Sequence, residues 1–380
     1  MAGVYIHIPY CKVKCHYCDF HFSVKTDSKG RMVDSLLREI ELRSDFFQAQ
    51  TKIETIYFGG GTPSILEATE LNRILHKIAQ TFELAESPEI TIECNPDDIT
   101  TEKLQAYQKM GINRLSIGIQ SFDDKALKEM NRAHSAVEAI ESIENAKAAG
   151  FQNITIDLIY GIPNQTIHDW EAELDRMIEL NIPHLSAYCL TIEPNTVFGH
   201  RHKKGVLSLP NDHEYLSFFK LLRAKTKEAG MEHYEISNFA KPNYISKHNS
   251  AYWKGKPYIG IGPSAHSYDG KRRSWNIANN FKYMDALESG ESFSELEELD
   301  ATDVFNDYLI TRLRTKWGII RDELKEISAK DYTYTEPILG KLICEGKLIE
   351  ADGQINLTEE GMFISDAILE DLFCLNDVEK

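Results

Sequence analysis

The chain holds 380 residues, enough for two domains at roughly 100–200 residues each and for a substantial core. Its 59 acidic against 42 basic side chains leave a net charge of −17, which argues against nucleic acid or an anionic lipid surface as partner. No apolar run reaches the ~18 residues of a membrane span, and the N-terminal stretch lacks the basic and apolar regions of a signal peptide. The chain therefore reads as cytoplasmic, with no integral membrane segment. Thiols stay reduced there, so its seven cysteines need an explanation other than disulfides.

Short β-rich runs alternate with helical patterns over residues 4–240. Strands are expected at 4–8, 53–58, 89–94, 114–119, 153–159 and 184–190, apolar or nearly so on both faces. Helices are expected between them at 31–47, 68–81, 101–110, 137–149 and 168–180. Gly111, Gly150 and Gly230 sit where helices should stop, and Asn211 with Glu214 forms a capping box before 215–228. Alternating β and α predicts parallel strands and an α/β fold, a complete or partial (β/α) barrel, with chemistry at the carboxyl ends of the strands. The reading divides the chain into a barrel core at 1–240, a connecting region at 241–300 and a C-terminal unit at 301–380. That last unit reads as helices at 304–314, 322–327 and 337–344, then a hairpin turning on Asp352-Gly353, the order of a winged helix. Nine basic against seventeen acidic residues there argue for a packing or interface role over DNA reading.

Cys11, Cys15 and Cys18 lie in one loop after the first strand. Three thiolates on a four-iron cluster leave one iron open to a substrate or cofactor, whereas electron-transfer clusters have four Cys ligands. A zinc site completed by His16 or His21 is the alternative that spacing leaves open. Cys94, Cys189, Cys344 and Cys374 are isolated and read as small core residues. Glu93, Gln120 and Asp157 each stand at or near a strand end. Polar groups in such apolar strands need partners, and the strand ends converge on one face.

The spacing Cys-x3-Cys-x2-Cys, with Tyr17 before the last cysteine, resembles the radical S-adenosylmethionine (SAM) superfamily. Further blocks resemble its HemN/HemW group: residues 4–11, Tyr57-Phe58-Gly59-Gly60-Gly61-Thr62-Pro63, Glu93-Cys94-Asn95-Pro96, 118–122, Asn131-Arg132 and 157–163. The resemblance implies a [4Fe–4S] cluster on Cys11, Cys15 and Cys18, with SAM chelating the open iron and cleaved after one-electron reduction by an external donor. It implies that Gly60, Gly61 and Thr62 cradle the methionine moiety. Glu93, Gln120 and Asp157 would bond the ribose and amino groups, and Arg132 the carboxylate. Tyr5 and Tyr17 would stand at the edge of cluster and cofactor. No catalytic residue is assigned.

Within that group, the oxygen-independent coproporphyrinogen III oxidases carry a fourth cysteine where this chain has Phe20, and an extra N-terminal segment before the first strand. The run His248-Asn249-Ser250-Ala251-Tyr252-Trp253 resembles the H-N-x-x-Y-W haem signature of the haem-chaperone branch. An imidazole can ligate haem iron, and Tyr and Trp offer flat apolar surface to a porphyrin. The resemblance thus implies haem as cargo, held by His248, Asn249, Tyr252 and Trp253, and acceptor haemoproteins as partners. His266 is a second candidate ligand, in a segment where Ser264 replaces the usual glycine. Decarboxylation of porphyrinogen propionates is the competing expectation. A homodimer and the identity of the acceptor stay open.

Overall fold

Six parallel strands lie side by side in the order in which the chain makes them. The computed structural model describes residues 2–375. The strands are β1 (Ala2–Ile8), β2 (Ile53–Gly60), β3 (Leu84–Cys94), β4 (Arg114–Gln120), β5 (Asn153–Tyr160) and β6 (His184–Cys189). The crossovers carry α1 (Lys29–Leu42), α2 (Ala68–Thr81), α3 (Thr101–Lys109), α4 (Asp124–Glu129) with α5 (Ala136–Ala148), and α6 (Ile167–Glu179). The result is a partial (β/α) barrel, as the alternation predicts. Helix α1 ends at Leu42, not 47: the backbone leaves the helical conformation at Arg43 (φ −105, ψ 25), whose side chain reaches Glu39 (3.1 Å) and the Gly260 carbonyl (3.0 Å).

Beyond β6 come α7 (Val197–Lys203), α8 (Asp212–Glu228) and the antiparallel strands β7 (Glu232–Glu235) and β8 (Asn238–Ala240). The Asn211–Glu214 capping box is present at the start of α8. Residues 241–300 supply α9 (Lys247–Trp253), then β9 (Tyr258–Ile261), β10 (His266–Tyr268) and β11 (Arg272–Asn276), then α10 (Asn280–Ser289) and β12 (Ser294–Glu298). Strand β9 pairs parallel with β1, so the main sheet runs β12-β11-β10-β9-β1-β2-β3-β4-β5-β6-β8-β7. The segment expected to connect is thus woven into the barrel edge. Ser264 has φ +64, which explains why glycine suits that position.

The sequence predicts strands apolar on both faces, but they are apolar on one face only. One face of each packs beneath the helices through Val4, Ile6, Ile56, Phe58, Ile92, Ile117, Ile156 and Leu185. The alternate residues are polar, and register aligns them across the barrel: Tyr57 with Thr91, Glu93 with Ser116, Ser116 with Thr155, Asp157 with Ser186. Thr155 bonds both His184 (2.6 Å) and Ser186 (3.5 Å), while buried Arg114 donates to Asn153 (2.5 Å). Most (β/α) barrels fill this space with branched apolar side chains. Here it is a hydrogen-bonded polar lumen with a residual cavity of about 40 Å³.

The C-terminal unit comprises α11 (Ala301–Leu313), β13 (Ile319–Ile320), α12 (Arg321–Ile327), α13 (Ala329–Cys344), β14 (Leu348–Ala351), β15 (Gln354–Leu357), α14 (Glu359–Phe363) and α15 (Ser365–Leu372). It has its own apolar core around Phe305, Leu309, Leu324, Leu339 and Ile355. Its small antiparallel sheet turns on Asp352 and Gly353, both at positive φ, as a two-residue hairpin turn requires. Helix α13 begins eight residues before the expected start and carries Pro337 inside it, giving up one helical hydrogen bond there. The unit docks on the barrel through Ile236 N to the Arg314 carbonyl (3.0 Å) and Lys316 N to the Tyr234 carbonyl (3.0 Å).

Candidate functional site

A cleft of about 730 Å³ opens at the carboxyl ends of β1–β6. Cys11, Cys15 and Cys18 line one wall. The loop that carries them is folded by the Cys18 N to Cys15 carbonyl bond (3.3 Å) and by Ser23, which pairs with Pro9 and Cys11. Thr62 Oγ1 donates to Cys11 Sγ (3.5 Å) and Arg132 Nη1 to Cys15 Sγ (3.3 Å). Burial pushes the Cys11 thiol up to about 11, with the Thr62 bond offsetting and Cys18 and Cys15 adding; burial also raises Cys18. His16 and His21 turn elsewhere, to the Glu129 carbonyl (2.7 Å) and to Asn280 (2.7 Å). Among the described residues no three His, Cys, Asp or Glu converge on a single ion. Three thiols spread along one wall fit a group larger than one metal ion better than they fit zinc.

The glycine run after β2 lets the chain turn against the cysteine loop. Gly61 N bonds the Ile8 carbonyl (2.9 Å), and Thr62 N the Tyr10 carbonyl (2.7 Å). A Cβ at Gly61 would stand 2.6 Å from the Tyr10 carbonyl, and one at Gly60, where φ is +108, 2.6 Å from the His7 ring. Glycine is required here by close backbone approach as well as by any ligand.

Glu93, Gln120, Arg132 and Asp157 all line the same cleft, with Tyr17, Gly60, Gly61 and Thr62. Gln120 sits at φ +70 beyond an irregularity in the β4–β5 pairing, a strained backbone at a strand end. Tyr57 OH donates to Glu93 Oε1 (2.8 Å). Burial raises Glu93 to about 7, with Tyr57 offsetting and Asp157 adding; burial raises Asp157 to about 6, opposed by its Ser186 bond. Arg132 Nη2 donates to Asn95 (2.9 Å) and the Gly118 carbonyl (2.7 Å), yet its buried Nε has no partner. A ligand with a carboxylate would satisfy that donor, and one with cationic groups would draw Glu93 and Asp157 back to their ionised forms.

Tyr5 is placed apart from the cleft walls. It stacks inside the lumen on Tyr57 (6.1 Å between centroids) and bonds His7 Nδ1 (3.1 Å). The His248 run is also elsewhere. Helix α9 caps the lumen toward the amino ends of the strands, where His248 meets Thr55, about 15 Å along β2 from the glycine run. His248 is 2% exposed. Its Nδ1 bonds Thr55 (2.7 Å), its Nε2 bonds Tyr252 OH (2.8 Å), and its ring stacks on Tyr57 (4.9 Å). Both ring nitrogens of His248 are therefore engaged within the protein in this conformation. Asn249 lines the small lumen cavity with Glu93 and Asp157. Tyr252 and Trp253 are half-buried, while His266 is exposed beside Trp275 (6.2 Å).

Two cysteines expected in the core are exposed. Cys189 ends β6 and lines the cleft, and Cys344 ends α13 on its solvent side. Tyr57, Asn95 and Tyr188 are further residues of the site to which the sequence assigned no role. Tyr57 and Asn95 lie inside motif blocks, and Tyr188 follows the strand alternation from Ser186.

The radical SAM superfamily model matches residues 5–177. The chain is 34% identical to the protein named heme chaperone HemW of Lactococcus lactis subsp. lactis, covering 99% of this chain and 98% of that one. It is also 34% identical to heme chaperone HemW of Escherichia coli K12, covering 97% of each. The solved coproporphyrinogen III oxidase HemN of Escherichia coli, a radical SAM enzyme, superposes with a TM-score of 0.84 over 98% of this chain and 89% of its own; at 24% identity it shows the shared fold. Near full-length identity of this order, on a barrel whose cleft gathers the three cysteines, places the chain in the HemW family of the radical SAM superfamily.

Proposed function

We propose that the protein binds haem and hands it to acceptor haemoproteins, with a [4Fe–4S] cluster and SAM at the carboxyl ends of the strands. The observation that carries this reading is the near full-length identity to proteins named heme chaperone. Cys11, Cys15 and Cys18 would hold the cluster. Arg132 would take the SAM carboxylate on its unpartnered Nε, and Glu93, Gln120 and Asp157 its amino and hydroxyl groups. When bound, cluster and SAM supply one-electron chemistry that no side chain can, and the protein supplies orientation and exclusion of water.

For haem, His248 would offer Nε2 once Tyr252 turns its hydroxyl away. Thr55 already holds Nδ1, the kind of outer partner that fixes a metal-ligating imidazole. Burial lowers the His248 pKa to about 3, so the ring is neutral, as a ligand must be. Asn249, Tyr252 and Trp253 would border the porphyrin, with His266 an exposed second imidazole. The competing reading, coproporphyrinogen decarboxylation, shares the fold. Against it, Phe20 stands where those oxidases carry a fourth cysteine, 77% exposed and lining the cleft.

Anaerobic cluster reconstitution followed by parallel assays tests the proposal. Haem should bind without turnover of coproporphyrinogen supplied with SAM and a reductant. Ala at Cys11, Cys15 or Cys18 should abolish the cluster's absorption and EPR signals, and His248→Ala should shift the haem spectrum. Protoporphyrinogen formation would sink the chaperone reading. A triple Ala variant that still assembles a cluster would sink the ligand assignment.

A further inference from the structure

The strongest basic stretch of this acidic chain lies beside the cysteine loop. Helix α7 and the residue after it read His200-Arg201-His202-Lys203-Lys204. One backbone bond joins α7 to the loop, and two further bonds join the loop to the end of α4. Phe198 N donates to the His16 carbonyl (2.9 Å), His16 N to the Met130 carbonyl (3.0 Å), and Asn131 Nδ2 to the Lys14 carbonyl (2.8 Å). The Phe198 ring packs against His16 (5.9 Å), and Tyr17 joins the same apolar cluster. The inner face of α7 is thereby used up on the loop that bears Cys15 and Cys18. Its outer face is left cationic.

Arg201 is neutralised by Glu129 (2.6 Å). Lys14, Lys128, Lys203 and Lys204 are exposed and have no carboxylate partner among the described residues, and His200 and His202 are exposed beside them. The exposed carboxylate of the cysteine loop is Asp19. A concentrated positive face on a protein of net charge −17 does nothing for stability, since like charges repel. It can concentrate and orient an anionic partner.

We infer that the face formed by α7, the end of α4 and the cysteine loop is the docking surface for an acidic one-electron carrier protein. The inference rests on the cluster assignment above. A cluster on that loop takes its electron from outside the chain, and the loop is hydrogen-bonded directly to this face. Complementary charge would raise the encounter rate and hold the carrier against the loop. Raised ionic strength would weaken both effects.

The test uses the full chain, anaerobically reconstituted, with a flavodoxin as the acidic carrier. The variants are the double reversal Lys203→Glu/Lys204→Glu and the control Lys282→Glu, on the exposed side of α10. Carrier binding is measured by calorimetry on both apo and reconstituted protein, and cluster reduction by stopped-flow absorbance with the carrier and, separately, with dithionite. The double reversal should weaken binding and slow carrier-driven reduction by about tenfold at low salt and flatten the salt dependence. Lys282→Glu should match wild type, and dithionite should reduce all three proteins alike. Equal binding and equal carrier-driven rates for the double reversal and wild type would overturn the inference. So would wild-type protein that binds anionic phospholipid vesicles through these lysines and ignores the carrier. If binding depends on Lys203 and Lys204 while no variant assembles a reducible cluster, the docking face stands and the cluster assignment falls.

Discussion

Glu93 and Asp157 are the residues at which the site's electrostatics can be read most directly. Both carboxyls hold their protons to higher pH in the folded protein than in the unfolded chain, Glu93 to about 7 and Asp157 to about 6, chiefly through burial. The folded state therefore binds more protons between the ordinary carboxyl range and neutrality. By linkage, stability contributed at these sites is greatest at low pH and falls as pH rises through that window. Glu93→Gln keeps an acceptor for Tyr57 and cannot ionise. Its melting temperature should gain on wild type progressively from about pH 5 to about pH 8. A difference that stays constant across that range would show Glu93 ionised throughout. For SAM, Asp157→Ala removes a charged hydrogen-bond partner worth about 1.5–3 kcal/mol, so affinity by calorimetry should fall by roughly 10–100-fold. Unchanged affinity would remove Asp157 from the binding set.

Helix α9 is short, at seven residues, and depends on its ends. Ser246 caps it by accepting from Asn249 N (3.2 Å), and Glu89 receives the amides of Lys247 (3.2 Å) and His248 (3.0 Å). Gly3 on β1 leaves room for the Thr55 hydroxyl that holds His248, since a Cβ there would stand 2.8 Å from Thr55 Oγ1. The buried His248 ring must stay neutral, so acid should loosen this helix: the unfolded chain takes up a proton near pH 6.5, and the folded ring resists to about 3. Ser246→Ala leaves the Asn249 amide without its acceptor. It should cost about 1 kcal/mol in chemical denaturation. The same change should make haem uptake faster if opening of α9 limits it, and a rate equal to wild type would show that it does not.

At the scale of the molecule, the C-terminal unit closes the barrel on the side where α9 lies. Lys254, just past α9, stacks over Trp317 at 4.2 Å, and Lys316 pairs with Glu232 at 2.7 Å. The cleft at the carboxyl ends and the His248 run lie toward opposite ends of one polar lumen, with Asn249, Glu93 and Asp157 sharing its cavity. Trp317→Ala deletes a cation–π contact worth about 0.5–1 kcal/mol at exposed sites. It should raise amide exchange across residues 247–253 while leaving exchange in β1–β6 unchanged, as read by hydrogen-exchange mass spectrometry. Equal exchange in variant and wild type would mean that the C-terminal unit does not hold α9 in place.

The alternation of strands and helices, the capping box at Asn211 and the hairpin at Asp352-Gly353 were legible in the sequence because each depends on neighbours a few residues apart. The cysteine loop was legible for the same reason; Glu93, Gln120 and Asp157 stood out at successive strand ends, and the family resemblance added Arg132, which follows α4. What lay beyond local spacing was decided by long-range register. Strand β9 pairs with β1 across more than two hundred residues, and no periodicity announces that. Alternate residues of β2–β6 form a polar ring only when their neighbours are aligned, so runs that look apolar line a hydrogen-bonded lumen. Cys189 looked like a core residue until the barrel placed the end of β6 on the cleft. The motif marks His248 as a haem ligand, and only tertiary structure shows that Thr55 and Tyr252 already occupy its ring nitrogens, since chemistry on a ring nitrogen depends on what else that nitrogen already bonds.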